Sequence, residues 1–299
     1  MDRIYFHGGK IYRSKNPCTN ALFQVKTVFS DYYIEEKPPV DIPVTLTIKI
    51  TNPHYRPVND VDVEFLGMRN DYHQRVLDIR SEYDIQTRFD SLGNILHILN
   101  LQTIPARSSV EIKIHYRILV RPYSTKHMGF RYNIEEEVVE TLKEPKPLQR
   151  HTSKAISRII KEDITSSDVL GRILRAVGWI LGNIKYERTY RRYSVTDTLK
   201  RRRGSCLSVS DLLVAILRGC GIPACVVRGF YLDQPHAWVE AYIENNGGFI
   251  VCPIDSFGGM VCSIGSIWIS QHAEMWTGKK NISMNRKGLL SSYLIVIPR

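Results

Sequence analysis

Gly204-Ser205-Cys206, then Gly221-Ile222-Pro223-Ala224, His236-Ala237-Trp238-Val239-Glu240-Ala241-Tyr242 and finally Pro253-Ile254-Asp255 mark out the stretch from which the fold is read. Between Cys206 and Gly221, the residues Val209, Leu212, Leu213, Ile216, Leu217 and Cys220 recur at helical spacing, the buried stripe of an amphipathic helix. Ser205 is placed to cap that helix, and Gly219 or Gly221 to end it before Pro223. Cys206 then falls in the first turn, beside the stripe. There, unpaired backbone N–H groups and the positive end of the helix dipole favour a thiolate.

Ala224 to Leu232, His236 to Ile243 and Gly248 to Ile254 read as strands, joined by Asp233-Gln234-Pro235 and Asn245-Asn246-Gly247-Gly248. Links that short make the strands antiparallel neighbours. His236, at the start of one strand, and Asp255, at the end of the next, therefore lie at the same sheet edge. A cysteine at a helix start, a histidine and a carboxylate converging in this way can supply a thiol nucleophile, its base and the group that orients the base. Cys220, Cys225, Cys252 and Cys262 lie in apolar or small-residue surroundings, where cysteine packs as a small hydrophobe. Their spacing is not that of a zinc knuckle, and neither a metal nor a cofactor is expected.

Upstream, the period changes. Val44, Leu46, Ile48 and Ile50 alternate with threonine and lysine, as do Val110, Ile112, Ile114, Tyr116 and Ile118 with polar neighbours. Further short strands are expected at Val61–Leu66, Val76–Ile79, Tyr83–Phe89 and Ile95–Leu101, which together suggest an immunoglobulin-like β-sandwich. His73, His97 and His115 are scattered over these strands without ligand spacing and read as structural. Glu135-Glu136-Glu137 and Lys143-Glu144-Pro145-Lys146-Pro147 read as a solvated connection, dividing the chain into a sandwich over residues 1–140 and a second domain over 141–299. That domain opens with helical spacing at Ser153–Lys161 and again from Leu170 to Ile184, the second helix capped by Ser166 or Ser167.

These blocks together resemble the transglutaminase-like superfamily of papain-type thiol enzymes. The resemblance rests on Gly204-x-Cys206, Leu212-Leu213-x-x-Ile216-Leu217-Arg218-x-x-Gly221-Ile222-Pro223-Ala224, Arg228-Gly229-Phe230-Tyr231, His236-Ala237-Trp238-Val239-Glu240 and Ile254-Asp255, with Trp179 and Ile184-x-Tyr186 upstream. It covers roughly residues 145 to 256. It implies an α+β chain in which a catalytic helix packs on an antiparallel sheet behind an N-terminal sandwich. It also implies that Cys206 is nucleophile, His236 base and Asp255 orienter, with Tyr186 near the oxyanion site beside the Cys206 N–H. The implied chemistry is acyl transfer or amide hydrolysis through a thioester, on a peptide or protein-like substrate. Cys225 and Phe249 stand where the family more usually has an arginine and a tryptophan, and Ser256 where Asp-Pro-Thr would be expected after the aspartate, which leaves the substrate class open.

The chain of 299 residues carries a formal charge of +11, with 43% hydrophobic residues, near the globular average, which excludes disordered, collagenous and coiled-coil classes. Lys185, Arg188, Arg191, Arg192, Lys200, Arg201, Arg202 and Arg203 crowd the approach to Cys206, against only Glu187 and Asp197. Such a run is a solvated surface or, in Arg191, Arg192, Arg201, Arg202 and Arg203, a dock for an acidic protein. A carrier presenting an acyl thioester is one such partner and would turn the chemistry toward amide formation. An inactive binding module is the reading outside enzymology. No reader fold for nucleic acid is recognisable, and no apolar run reaches membrane-spanning length. A polar start and a lone cysteine, Cys18, before Cys206 suggest a cytoplasmic chain with reduced thiols.

Overall fold

Residues 3–7, 10–14, 38–121, 123–124, 136–143, 153–166, 168–189, 191–232, 234–245, 248–257, 260–264, 268–274 and 282–297 are described by a computed structural model. A hairpin of β1 (Arg3–His7) and β2 (Lys10–Ser14) pairs on itself. The alternating segments then form β3 (Val40–Thr51), β4 (Val58–Leu66), β5 (Gln74–Ser81), β6 (Gln86–Phe89), β7 (Ile95–Ile104) and β8 (Ser109–Val120). β3, β8 and β5 make one antiparallel sheet, β4, β7 and β6 the other. Val44, Leu46, Ile48 and Ile50 of β3 share a core with Val61 and Val63 of β4 and with Ile112, Ile114 and Ile118 of β8. Each such side chain, removed from water, contributes about 1.5–3 kcal/mol.

The sandwich histidines are tied into this scaffold. His73 pairs with Asp71 at 2.9 Å, and His115 bonds the Thr45 hydroxyl at 3.0 Å. His97 meets the Tyr116 hydroxyl at 2.8 Å, and burial pushes its pKa down to about 4, so it packs as a neutral ring.

After β9 (Tyr123–Ser124), the stretch read as a solvated connection contains α1 (Glu136–Lys143). Its charges hid an apolar face: Val138, Val139 and Leu142 are buried in one cluster with Val227, Trp238 and Tyr242. Then come α2 (Ser153–Asp163) and α3 (Val169–Asn183), the latter capped by Asp168, whose carboxylate accepts from the Gly171 N–H at 2.7 Å, in place of the expected serine. A carboxylate at that position also answers the helix dipole.

β10 (Lys185–Tyr186) pairs in parallel with β11 (Arg203–Gly204), and between them the basic run folds as α4 (Val195–Arg201), capped by Ser194. α5 (Cys206–Gly219) starts where expected, with Ser205 as its cap, and is buried along nearly its whole length. It packs on β12 (Ala224–Tyr231), β13 (Gln234–Asn245) and β14 (Gly248–Asp255), antiparallel neighbours in that order. β15 (Met260–Val261) extends the sheet beyond β14 and β17 (Trp268–Glu274) beyond β12, while β16 (Ser263–Ile264) pairs with β9. The architecture is α+β. Among the described residues, no helix is long and apolar enough to cross a membrane.

Two further features differ from the sequence expectation. The last strands, β18 (Ile282–Met284) and β19 (Leu290–Val296), leave the second unit and pair with β4 and β3, adding a fourth strand to each sandwich sheet. Nothing local announces this, because an edge strand is completed by a partner more than two hundred residues away. The other is at Cys252 and Cys262, read as packed thiols, which form a disulfide across ten residues of sequence. By the chain-entropy argument, closing a loop of that length stabilises the fold by about 2–3 kcal/mol. Urea unfolding in dithiothreitol is therefore expected at a clearly lower midpoint than in its absence, and a Cys252→Ala/Cys262→Ala chain should show no such difference.

The sandwich also grips the back of the second sheet. Phe230 of β12 and Ile269 of β17 sit in the sandwich core. Gln74 donates to the Ser270 carbonyl at 2.8 Å and accepts from the Ser270 N–H at 2.9 Å, and Asn94 brackets Ala273 in the same way at 2.8 and 2.7 Å. Arg69, fully buried, bonds Glu240 of β13 at 2.8 Å.

Candidate active site

The site is assembled by three local decisions of the chain. Ser205 terminates the approach strand and starts α5, leaving Cys206 partly exposed at its first position. Gly204 permits this: a Cβ there would lie 3.1–3.3 Å from Ser208, Val209 and Thr198, so a larger residue would push α4 and α5 apart. β13 and β14 bring His236 and Asp255 to one edge, with Val239 opposite Ile254. At Gly229, opposite His236, a Cβ would stand 2.1 Å from the Ile269 carbonyl oxygen, so the absent side chain is what lets β17 close on β12 at this level.

His236 Nε2 meets Asp255 Oδ2 at 3.1 Å, and the ring also hydrogen-bonds Cys206. Asp255 is buried and its other oxygen accepts from the Phe257 N–H at 3.2 Å, which fixes the carboxylate plane. Burial alone would lower the His236 pKa; hydrogen bonds to Asp255 and Cys206 and the negative charge of both outweigh it and raise the value to about 9. The proton so held stabilises the fold fully below the ordinary histidine value of 6.5, and that contribution is lost as pH rises toward about 9. Chemically, the arrangement pairs a thiol with a positively charged imidazole at the dipole-positive end of a helix.

Tyr186, paired in register with Gly204, lies near the thiol. It is 52% exposed, its ring meets Phe257 edge-on at 5.1 Å, and its hydroxyl titrates above the ordinary tyrosine value, chiefly through burial and then through the charges of Cys206 and Asp255. At the end of β12 stand Tyr231 and, just past it, Leu232, 41% and 52% exposed, with the Tyr231 ring 6.5 Å from His236. Phe257, Tyr231 and Leu232 were missed in sequence. Their positions two residues past Asp255 and between Gly229 and His236 were the available signal.

The five arginines named as a dock separate. Arg192 is taken internally: it grips Asp211 of α5 with Nε at 2.7 Å and Nη2 at 2.9 Å, and Glu274 of β17 at 2.8 Å. Arg228 holds the same Glu274 at 2.6 Å. This quartet ties the Cys206 helix to the sheet, so Arg192 serves packing and not a surface. Arg191, Arg201, Arg202 and Arg203 remain exposed.

A half-buried thiol at a helix start thus faces a histidine–aspartate pair on an antiparallel sheet. Residues 158–253 match the model of the transglutaminase-like superfamily. In structure the chain is similar to a "putative cysteine protease" from Cytophaga hutchinsonii, with a TM-score of 0.61 at 15% identity, covering 88% of this chain and 91% of that one. At that identity the likeness is one of fold, and its coverage takes in the sandwich as well. A "putative protease" from Parabacteroides distasonis, also 15% identical, aligns over 77% of this chain and 48% of that one with a TM-score of 0.28, too low to carry an argument. No curated protein matches the sequence significantly.

Proposed function

We propose that the chain is a thiol-dependent acyl-transfer enzyme or peptidase acting on a peptide or protein substrate through Cys206, His236 and Asp255. The observation that carries this reading is the continuous contact from Cys206 through the His236 ring to the buried Asp255. In the mechanism, the Cys206 thiolate attacks the substrate carbonyl and the Cys206 N–H, in the unpaired first turn of α5, faces the developing oxyanion, with Tyr186 beside it. The imidazolium of His236 gives its proton to the leaving amine, and a thioester on Cys206 results. Water or an amine, deprotonated by His236, then attacks the thioester carbonyl and releases the thiolate. Asp255 keeps the ring oriented and stabilises its charged form.

Trapping tests this directly. An Asp255→Asn chain incubated with a peptide mixture is expected to accumulate a mass adduct on Cys206 that hydroxylamine removes; absence of any adduct in both this variant and the parent chain rejects the reading. The pH dependence has a defined sign. Acylation needs the imidazolium, which is lost as pH rises through about 9, so the rate should fall on an alkaline limb near that value. Asp255→Asn removes the strongest of the effects that raise the pKa, and the limb should move to lower pH.

An acyl thioester on a carrier protein is compatible with the same chemistry, but nothing in the geometry favours it over a peptide amide. A cytoplasmic setting sits poorly with the Cys252–Cys262 disulfide, since such bonds persist in oxidising compartments.

A further inference from the structure

The surface beside Cys206 is charged and aromatic in a way that the acyl-transfer chemistry does not require. Lys185, Arg188, Arg191, Arg201, Arg202 and Arg203 are all exposed along the stretch from β10 through α4 to β11. The register places Lys185 next to Arg203 and Tyr186 next to Gly204, two residues before the thiol. The carboxylates of this strip are already engaged: Asp197 accepts from the Ser194 cap at 2.7 Å, and Glu187 lies 3.3 Å from Arg201.

Several of these cations are held in place. The guanidinium groups of Arg191 and Arg201 stand 5.3 and 4.2 Å from the centre of the Tyr193 ring, and that of Arg202 stands 5.6 Å from the Trp179 ring. Side chains stacked in this way lose less freedom when a partner binds. At the end nearest the thiol, Arg188 acts electrostatically on Tyr186, which in turn leans on Phe257. Tyr186 and Phe257 thus form an apolar lip that feels the charge of both Arg188 and Cys206 through the tyrosine.

We propose that the substrate is an acidic polypeptide, docked with its carboxylates on the β10–β11 edge and α4 and with an aromatic or aliphatic side chain against Tyr186 and Phe257, beside the carbonyl presented to Cys206. This rests on the acyl-transfer reading, which demands a carbonyl within reach of the strip. Nucleic acid is anionic but presents no acyl group for the thiol to take. An acidic peptide satisfies the charge, the apolar lip and the chemistry together. Lys185, Arg188 and Arg203, which pair with no carboxylate among the described residues, are the groups that contact its carboxylates first.

The test is binding to the full-length Cys206→Ala chain, followed by fluorescence polarisation. The probes are three labelled decapeptides with a central tyrosine, flanked by glutamates, glutamines or lysines. The glutamate peptide is expected to bind at least about tenfold more tightly than the glutamine peptide, and to weaken by at least about tenfold between 50 and 300 mM NaCl as the charges are screened. Arg188→Glu combined with Arg203→Glu should abolish that preference, whereas Lys113→Glu, exposed on a sandwich strand, should leave it unchanged. Equal affinity for the three peptides overturns the proposal, as does tighter binding of a single-stranded oligonucleotide or of phosphatidylserine vesicles. Because these measurements use a chain without the thiol, they are independent of turnover. Charge-selective binding beside an inert Cys206 would overturn the acyl-transfer reading and leave the strip a dock for an acidic ligand that is not a substrate, whereas a reactive Cys206 with indifferent peptide binding would overturn the acidic substrate alone.

Discussion

Brief iodoacetamide treatment near neutral pH is expected to alkylate Cys206 well ahead of every other described thiol, and His236→Ala is expected to slow that reaction by about a hundredfold or more, the lower end of the range for removal of an acid–base partner. The contrast is built into the surroundings of each cysteine. Cys206 lies at a helix start in hydrogen-bond contact with a histidine whose positive charge persists to about pH 9. Cys220 is half-buried, and burial pushes its thiol up, with Arg172 opposing only in part. Cys225 is buried, and Cys252 and Cys262 are bonded to each other. Cys18 lies outside the described residues, so a Cys18→Ser chain gives the cleaner measurement. Mass spectrometry of the labelled peptides reads the outcome. Slow labelling of Cys206 and Cys220 at similar rates, indifferent to His236→Ala, would mark a binding module and end the enzymatic reading.

The largest stability effect is expected far from the thiol, at Arg69. Its guanidinium is fully buried, donating through Nε to the Leu92 carbonyl at 2.7 Å and through Nη1 to Glu240 at 2.8 Å. Tyr242 donates to the other Glu240 oxygen at 3.0 Å. Arg69→Met leaves the Glu240 carboxylate without its cation in a dry interface, a change that costs about 3–5 kcal/mol. Glu240→Gln on the Arg69→Met background removes the stranded charge, so the double variant should recover part of the loss. Urea unfolding of the single and double variants measures both. Glu240 is on the same strand as His236, so the single variant should also loosen the histidine and slow Cys206 alkylation, whereas equal midpoints for parent and Arg69→Met would show that the interface does not support the sheet.

The sequence by itself determined the Cys206 helix, the three strands after it and the edge on which His236 and Asp255 meet, because each of these depends on local periodicity, a serine cap and short links. It determined the sandwich for the same reason: period-two alternation is a property of neighbouring residues. Only the tertiary structure decided the rest. The helix at Glu136–Lys143 was masked by its charges until Trp238 and Val227 gave Val138, Val139 and Leu142 something to cover. Arg192 belonged to a basic run until Asp211 and Glu274 came within reach. The strands at Ile282–Met284 and Leu290–Val296 acquire meaning only from partners in the sandwich. Disulfide pairing of Cys252 with Cys262 likewise depends on the turn that follows Asp255. In each case the deciding energy, whether burial, ion pairing or sheet closure, comes from groups distant in the chain, which local pattern does not encode.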